Sequence, residues 1–259
     1  MAFAVMLRNG KRMSVQQMAL ECGRSMKNQT EANVSGAGTA GFRDAARIQT
    51  SITAKAERSA LLWLAARMPR FINSDHLTLL GFVAMSLAGC SYAWARWNSA
   101  GLLLATFWLA VNWFGDSLDG TLARVRNCQR PRYGFYVDHM CDSFGAIFLM
   151  AGLGASGYID WRIAIAMLVA FLLLSIESYL ATYTLGIFRL SFAKFGPTEI
   201  RILLGIGNVA LFLRPDARIA GGTYRLLDIG GGIAAVVMTI MAIGATVSHM
   251  VTLYRQETR

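Results

Sequence analysis

Six apolar runs, separated by short polar segments, constrain this chain more than any other feature of its sequence. They span about 77–95, 100–115, 143–159, 163–183, 197–213 and 229–254. Several are shorter than the roughly 20 residues that a helix usually needs to cross a bilayer, and the second continues into a polar stretch. Hydrophobic residues make up 55% of the chain and charged residues only 15%, which is too apolar for an ordinary soluble domain. The runs predict an all-α integral membrane protein with six transmembrane helices.

Positive charge is concentrated ahead of the first run. Residues 1–70 hold eleven Lys/Arg against four Asp/Glu, a net +7 of the chain's formal +10. This bias predicts a cytoplasmic N-terminus and favours contact with anionic lipid headgroups over nucleic-acid binding. Six spans would then return the C-terminus to the cytoplasm. The arginines after the second and fourth runs support this orientation, whereas those of the last outer loop oppose it: Arg214, Arg218 and Arg225.

The region before the first run divides into two segments. We expect residues 1–55 to be a basic, disordered extension. Residues 56–70 are predicted to form an amphipathic helix in the cytoplasmic interface, although a soluble core helix would show the same apolar stripe. The stripe comprises Leu61, Leu64, Ala65 and Met68, and we expect Pro69 to end the helix and Glu57, Arg58 and Arg67 to lie away from the stripe. Residues 71–259 would then form the six-span domain.

Four aspartates lie where the second run meets the third, in the stretch DSLDGTLARVRNCQRPRYGFYVDHMCD, residues 116–142. At about 1.5 Å per helical residue, Asp116 and Asp142 each lie roughly 24 Å from the outer end of their span, within a hydrocarbon core about 30 Å thick. Charges at that depth normally mark a polar cavity or an ion site. Helical spacing places the aspartates and several small residues on one face of each span. The face of the second span carries Asp116, Asp119, Gly120 and Ala123, and that of the third carries Gly134, Asp138 and Asp142. Pro131, between the two spans, favours a break in the helix.

Four carboxylates that converge from two antiparallel helices repel one another unless cations neutralise them, and oxygen ligands select Mg²⁺ or Mn²⁺. Surface acids paired with loop arginines are the plainer interpretation, but it explains one aspartate better than four. A divalent-cation transporter would also need intramembrane carboxylates, yet has no use for Gly120, Ala123 and Arg124 at fixed places. A non-catalytic membrane scaffold would tolerate the loss of any aspartate.

The spacing of these residues resembles the signature of the CDP-alcohol phosphotransferases, integral membrane enzymes of phospholipid head-group synthesis. It reads Asp116-x2-Asp119-Gly120-x2-Ala123-Arg124-x9-Gly134-x3-Asp138-x3-Asp142. The resemblance implies transfer of a phosphatidyl group from a CDP-linked lipid donor, such as CDP-diacylglycerol, to a small alcohol with release of CMP. It also implies a homodimer in membrane lipid. The orientation inferred from the charge bias puts the motif, and with it the active site, on the cytoplasmic side. Two divalent ions would bind the four aspartates, with Asp142 also acting as the base.

The same resemblance indicates how the substrates would bind. Gly120 and Ala123 lack bulk, so cytidine or its diphosphate can approach the helix backbone, and Arg124 offers a fixed cation for phosphate. Asp119 and Gly134 complete the predicted donor-binding set. Close helix packing and anchoring at the membrane surface are the plainer alternatives for the small residues and the arginine.

The acceptor is less constrained. Relatives that use inositol phosphate carry cations at the end of the fourth span and in a loop resembling Arg-Pro-Glu-Arg, where this chain reads SYLATYTLG and FGPTEIR. We therefore expect inositol phosphate to be a poor substrate. Arg189, Lys194 and Arg201 remain as predicted acceptor-binding residues. Glu177, deep in the fourth span, either lines the cavity or is paired locally.

Overall fold

The computed structural model describes residues 46–48, 54–189, 197–214, 216–219 and 222–258. Over these residues the chain forms seven helices: α1 (Ala54–Arg67), α2 (Ser74–Ala95), α3 (Ala100–Val125), α4 (Pro131–Ala155), α5 (Trp161–Leu185), α6 (Pro197–Leu213) and α7 (Leu226–Glu257). Each predicted apolar run coincides with one of the helices α2 to α7, apart from the last few residues of the third run. Residues 68–72 lie in a second unit of the chain and are described by themselves, with the Ile72 amide donating to Pro69 O at 3.1 Å.

Local sequence explains several helix ends. Pro131 occupies the first turn of α4, where its missing N–H and fixed φ are tolerated. Asn127, in the segment between α3 and α4, adopts a φ of 53°. The break predicted at Pro131 is thus confirmed. At the start of α5, the Asp160 side chain accepts a hydrogen bond from the Arg162 amide at 2.8 Å. Gly186 ends α5 with a φ of 68°, a conformation that glycine adopts without strain.

In the described part of the chain, four short strands lie outside the helices. Strand β1 (Ala46–Ile48) pairs in parallel with β2 (Ile187–Arg189), and β3 (Asp216–Ile219) pairs antiparallel with β4 (Gly222–Arg225). Residues 46–48 thus pair with a distant segment that local composition does not reveal, and the extension predicted over residues 1–55 stays a prediction. Residues 1–45 and 49–53 lie outside the described part. The helical bulk of the described chain agrees with the predicted all-α class.

Three helices, α2, α5 and α7, are long and apolar enough to cross a membrane. Helices α3 and α4 have 26 and 25 residues but carry the charged motif, and α6 has only 17 residues. Large apolar side chains of α5 and α7, including Leu173 and Ile240, are exposed at the surface of the bundle. This outward apolar face is typical of helices surrounded by lipid.

The packing of α2 fixes the positions of the motif helices. Helix α2 packs against both α3 and α4, while α6 packs on α3, and α5 packs on α4 and α7. Glycines bring the backbones together at two crossings: a Cβ on Gly115 would lie 2.6 Å from Leu77 O, and one on Gly89 would lie 2.7 Å from the Phe148 carbonyl carbon. The ends of α3 and α4 that carry the aspartates are thereby held against one helix.

Helix α1 is attached to the bundle by both apolar and polar contacts. Leu61 and Ala65 are 8% and 3% exposed, and α1 packs on α3. The prediction that Glu57 lies away from this face is wrong, because Glu57 precedes Leu61 by four residues and so shares its side of the helix. Glu57 Oε1 accepts hydrogen bonds from Trp113 Nε1 at 3.0 Å, Ser117 Oγ at 3.4 Å and Thr198 Oγ1 at 2.7 Å.

Candidate active site

Three of the four predicted aspartates meet in space. Asp116 lies near the C-terminal end of α3, and Asp138 and Asp142 lie one turn apart near the start of α4. One carboxylate oxygen from each lies within 4.8 Å of the others, and all three residues are partly buried. Like charges this close repel unless a cation neutralises them. The antiparallel convergence predicted from helical spacing is therefore present for these three residues.

Asp119 does not belong to this group. Its carboxylate Oδ2 accepts a hydrogen bond from Thr78 Oγ1 of α2 at 2.6 Å, and its Oδ1 accepts from the Gly120 amide. Asp119 is only 9% exposed, so these two bonds satisfy a buried carboxylate. Its assignment as a metal ligand stays a prediction.

Arg201 supplies a positive charge to the carboxylate group. Its Nη2 donates to Asp116 Oδ2 at 2.6 Å, and the two side chains are 12% and 21% exposed. Arg201 lies on α6, next to the turn that holds Thr198. A residue predicted to bind the acceptor thus contacts the carboxylates directly.

A narrow recess opens beside the carboxylates. Asp116, Asp138 and Asp142 line it together with Asn112 and Cys141, and α2 closes its other side. Asn112 is 3% exposed, and its Oδ1 is buried without a hydrogen-bond partner among the described residues. An uncompensated buried oxygen is rare in native proteins and needs an explanation.

Two of the predicted donor-binding residues, Gly120 and Gly134, border open space. A Cβ on Gly120 would meet no other helix, since its nearest neighbour is the Arg124 side chain at 3.7 Å, and a Cβ on Gly134 would meet nothing within 4 Å. Close helix packing therefore does not explain these two glycines. Ala123 is partly buried, and the exposed Arg124 donates to Thr121 Oγ1 at 3.1 Å.

Two of the predicted acceptor residues cannot be placed in the site. Arg189 lies in β2, where its backbone is opposite Ile48. Lys194 lies outside the described residues.

Glu177 of α5 is paired with a neighbouring helix and does not line the recess. His249 Nδ1 of α7 lies 2.5 Å from Glu177 Oε1 of α5, and their side chains are 18% and 10% exposed. Of the two alternatives left by the sequence, the structure shows the second.

A family model described as CDP-alcohol phosphatidyltransferase matches residues 71–253. The chain belongs to this family. The match covers α2 to α6, most of α7 and every residue of the signature, so the resemblance noted from the sequence is confirmed. The chain is also 30% identical over 113 residues to the archaetidylinositol phosphate synthase of Pyrococcus horikoshii. That alignment covers 44% of this chain and 53% of the relative, so the chain spans about half the length of the curated relative it matches.

Divalent metals are general in CDP-alcohol phosphatidyltransferases, and the residues present fit such an ion. The recess offers oxygen donors from Asp116, Asp138 and Asp142, and the amide oxygen of Asn112 faces no hydrogen-bond donor. Mg²⁺ and Mn²⁺ prefer oxygen ligands of this kind. The arrangement also suits phosphoryl chemistry, because the same carboxylates lie beside a fixed arginine.

Sequence reasoning missed several polar contacts at this site. Thr78 and Asn112 lie in apolar stretches and carry no motif, so only the crossing of α2 and α3 reveals them. Asp75 forms an ion pair with Arg130, which follows α3 and precedes α4. The one available signal was position: Asn112 lies four residues before Asp116, on the same face of the helix.

Proposed function

We propose that this chain transfers a phosphatidyl group from a CDP-linked lipid donor to a small alcohol, with release of CMP, and that it does so with divalent cations. Family membership supports phospholipid head-group transfer in general. The observation that carries the finer proposal is the group formed by Asp116, Asp138 and Asp142, whose carboxylate oxygens lie within 4.8 Å of one another. Two ions are expected, with Asp119 as a further ligand.

The reaction needs four tasks from the protein. Mg²⁺ or Mn²⁺ bound by the carboxylates would supply neutralisation of the charge that builds on the diphosphate. Arg124 binds the donor phosphates, and the open surfaces beside Gly120 and Gly134, together with the small side chain of Ala123, accommodate the cytidine. Asp142 takes the proton of the acceptor hydroxyl. The acceptor oxygen then forms a bond to the phosphorus next to the lipid, the bond from that phosphorus to the CMP oxygen breaks, and CMP leaves with its electron pair.

The membrane arrangement follows from the helices. We infer that α2 to α7 form six spans, that α1 lies in the cytoplasmic interface, and that residues 71–259 constitute the catalytic domain. Helices α3 and α4 are long enough to cross even though the motif occupies their ends. The distribution of positive charge supports a cytoplasmic location for the termini and the active site. The homodimer stays a prediction.

Two observations bear on which alcohol is the acceptor, and they favour different ones. Arg201 is engaged by Asp116, so one of the three cations predicted for a phosphorylated acceptor already has a partner. This favours an uncharged or zwitterionic alcohol, or glycerol 3-phosphate held by the remaining cations. The name of the Pyrococcus horikoshii relative favours inositol phosphate instead. A direct comparison of acceptors decides between them.

The experiment is CMP release by the purified chain in detergent, with CDP-diacylglycerol as donor and serine, ethanolamine, glycerol 3-phosphate and inositol phosphate as acceptors. We expect release with Mg²⁺ or Mn²⁺, none in EDTA, and recovery when the cation is restored. Inositol phosphate should be the poorest acceptor. Efficient turnover of inositol phosphate that is unaffected by Lys194→Ala and Arg201→Ala would refute the acceptor assignment.

Two controls separate the proposed function from its alternatives. Full activity after exhaustive chelation would exclude the metal-dependent mechanism. Ion flux into liposomes without CMP release would favour a cation transporter. Asp228→Asn serves as the matched substitution, because Asp228 is an aspartate on α7 outside the carboxylate group, its Oδ1 accepts from the Asp160 amide at 2.6 Å as an asparagine oxygen also would, and activity should be retained.

A further inference from the structure

Asn112 is a buried amide whose orientation the structure fixes. It lies on α3 one turn before Asp116, and its Nδ2 donates to Gly81 O of α2 at 2.9 Å. A backbone carbonyl only accepts hydrogen bonds, so the atom facing Gly81 must be the nitrogen of the amide. The oxygen Oδ1 therefore points away from that bond.

No described residue donates to this oxygen. Asn112 Oδ1 is buried and without a partner, while the residue as a whole is 3% exposed. The recess that Asn112 lines is shared with Asp116, Asp138 and Asp142, whose carboxylates accept hydrogen bonds but donate none when they are ionised. Thr78 also lines the recess, but its hydroxyl donates to Asp119. Among the described residues the oxygen thus has no hydrogen-bond donor, and a hard cation would accept its electron pair.

We propose that Asn112 Oδ1 is a fourth protein oxygen in the cation site formed by Asp116, Asp138 and Asp142. The inference rests on the proposed metal-dependent function and deepens it. A neutral amide oxygen adds a hard ligand without adding a fourth negative charge to carboxylates that already repel one another. Its bond to Gly81 holds the oxygen in one orientation, so little freedom is lost when the ion binds.

The test measures binding of Mn²⁺ alone to the full chain in detergent, without substrates, from the electron paramagnetic resonance signal of free Mn²⁺. Two variants separate a ligand from a structural residue. Asn112→Ala and Asn112→Asp both lose the Nδ2 bond to Gly81, but only the aspartate keeps an oxygen at this position. We expect the alanine to raise the Kd for Mn²⁺ about ten-fold or more, and the aspartate to bind at least as tightly as the wild type.

Asn208 provides the matched control. It is also a buried amide of the bundle, 1% exposed, and it bonds Tyr92 at 2.8 Å and Thr106 at 3.0 Å. Asn208→Ala removes a buried asparagine of equal size away from the carboxylates and should leave the Kd for Mn²⁺ unchanged. Asn112→Leu is measured in parallel, because leucine fills the space of the asparagine side chain but has no oxygen. The test then still works if the alanine variant is unstable.

The outcomes are distinct. A wild-type Kd in Asn112→Ala and Asn112→Leu would overturn the inference and leave the proposed function intact. Equal weakening in the alanine and aspartate variants would also overturn it, because the effect would then come from the lost bond to Gly81. A wild-type protein that binds no Mn²⁺ would overturn both the inference and the metal-dependent function.

Discussion

The crossing of α2 and α3 offers the sharpest test of how the fold supports the site. Gly115 lies on α3 one residue before Asp116, and its backbone touches α2. We predict that Gly115→Ala lowers both stability and activity, although it adds a single methyl group and leaves every predicted catalytic residue in place.

The magnitude follows from the contacts. The added Cβ would lie 2.6 Å from Leu77 O and 2.7 Å from Gly81 N, whereas ordinary contact begins at 3.4 Å. Both neighbours are backbone atoms that cannot rotate away, so the crossing must open by about 0.8 Å. Overpacking of this kind typically costs about 1–3 kcal/mol. Opening the crossing would also lengthen two hydrogen bonds between α2 and α3. These are the bond from Thr78 to Asp119, now 2.6 Å, and the bond from Asn112 to Gly81, now 2.9 Å. A misplacement near 1 Å can reduce turnover by up to about 10²-fold.

Thermal unfolding in detergent and CMP release measure the two effects. Gly244→Ala is the matched control, because a Cβ on this α7 glycine would meet nothing within 4 Å. Alanine should there be neutral or stabilise by about 0.5–1 kcal/mol, since glycine is unfavourable inside a helix. If Gly115→Ala matches the wild type in both melting temperature and kcat, the α2 crossing does not position the carboxylates and the reasoning fails.

Three further predictions concern single side chains. Asp142→Asn should fold and still bind a CDP-linked donor in equilibrium binding, yet lose most CMP release because its proton acceptor is gone; wild-type turnover would contradict this role. Glu57→Ala should lower the free energy of unfolding by about 1.5–3 kcal/mol, because three hydrogen bonds to its carboxylate are lost. Arg58→Ala, on the exposed side of the same helix, should have no such effect. If Glu57→Ala melts at the wild-type temperature, these bonds contribute nothing to stability. Arg201→Ala should lower the free energy of unfolding by about 3–5 kcal/mol in EDTA, because the partly buried Asp116 carboxylate loses the guanidinium that neutralises it. Added Mn²⁺ should recover much of that loss. An equal loss with and without Mn²⁺ would argue that Arg201 and the metal do not share a site.

The helices were predictable because their signal is local. Apolar runs and turn residues such as Pro131 are properties of consecutive positions, and helix boundaries follow from them within a few residues. The convergence of Asp116 with Asp138 and Asp142 was also predictable, since a short break between two helices brings their adjoining ends together.

The remaining contacts depend on how helices from different parts of the chain cross. Asp119 was grouped with the other carboxylates by helical spacing, but spacing does not show that Thr78 lies opposite. Glu57 was assigned to the polar side of α1 because of its charge, although its position in the helix places it toward α3. Arg201 was predicted to be functional from its charge alone, and its partner became visible only in three dimensions.

The pairing of Glu177 with His249 has a consequence for biogenesis. The two residues are 72 positions apart, on helices α5 and α7, both apolar enough to cross the bilayer. At about 5–20 residues per second, the ribosome makes His249 several seconds after Glu177. In the six-span arrangement proposed above, the α5 glutamate enters the bilayer before the imidazole that it later contacts has been made, and unpaired polar groups in the bilayer are costly. Docking of α7 onto α5 therefore gives the glutamate its partner late in assembly. A chain truncated before His249 is expected to stay bound to the insertion machinery through α5 for longer than the full chain does.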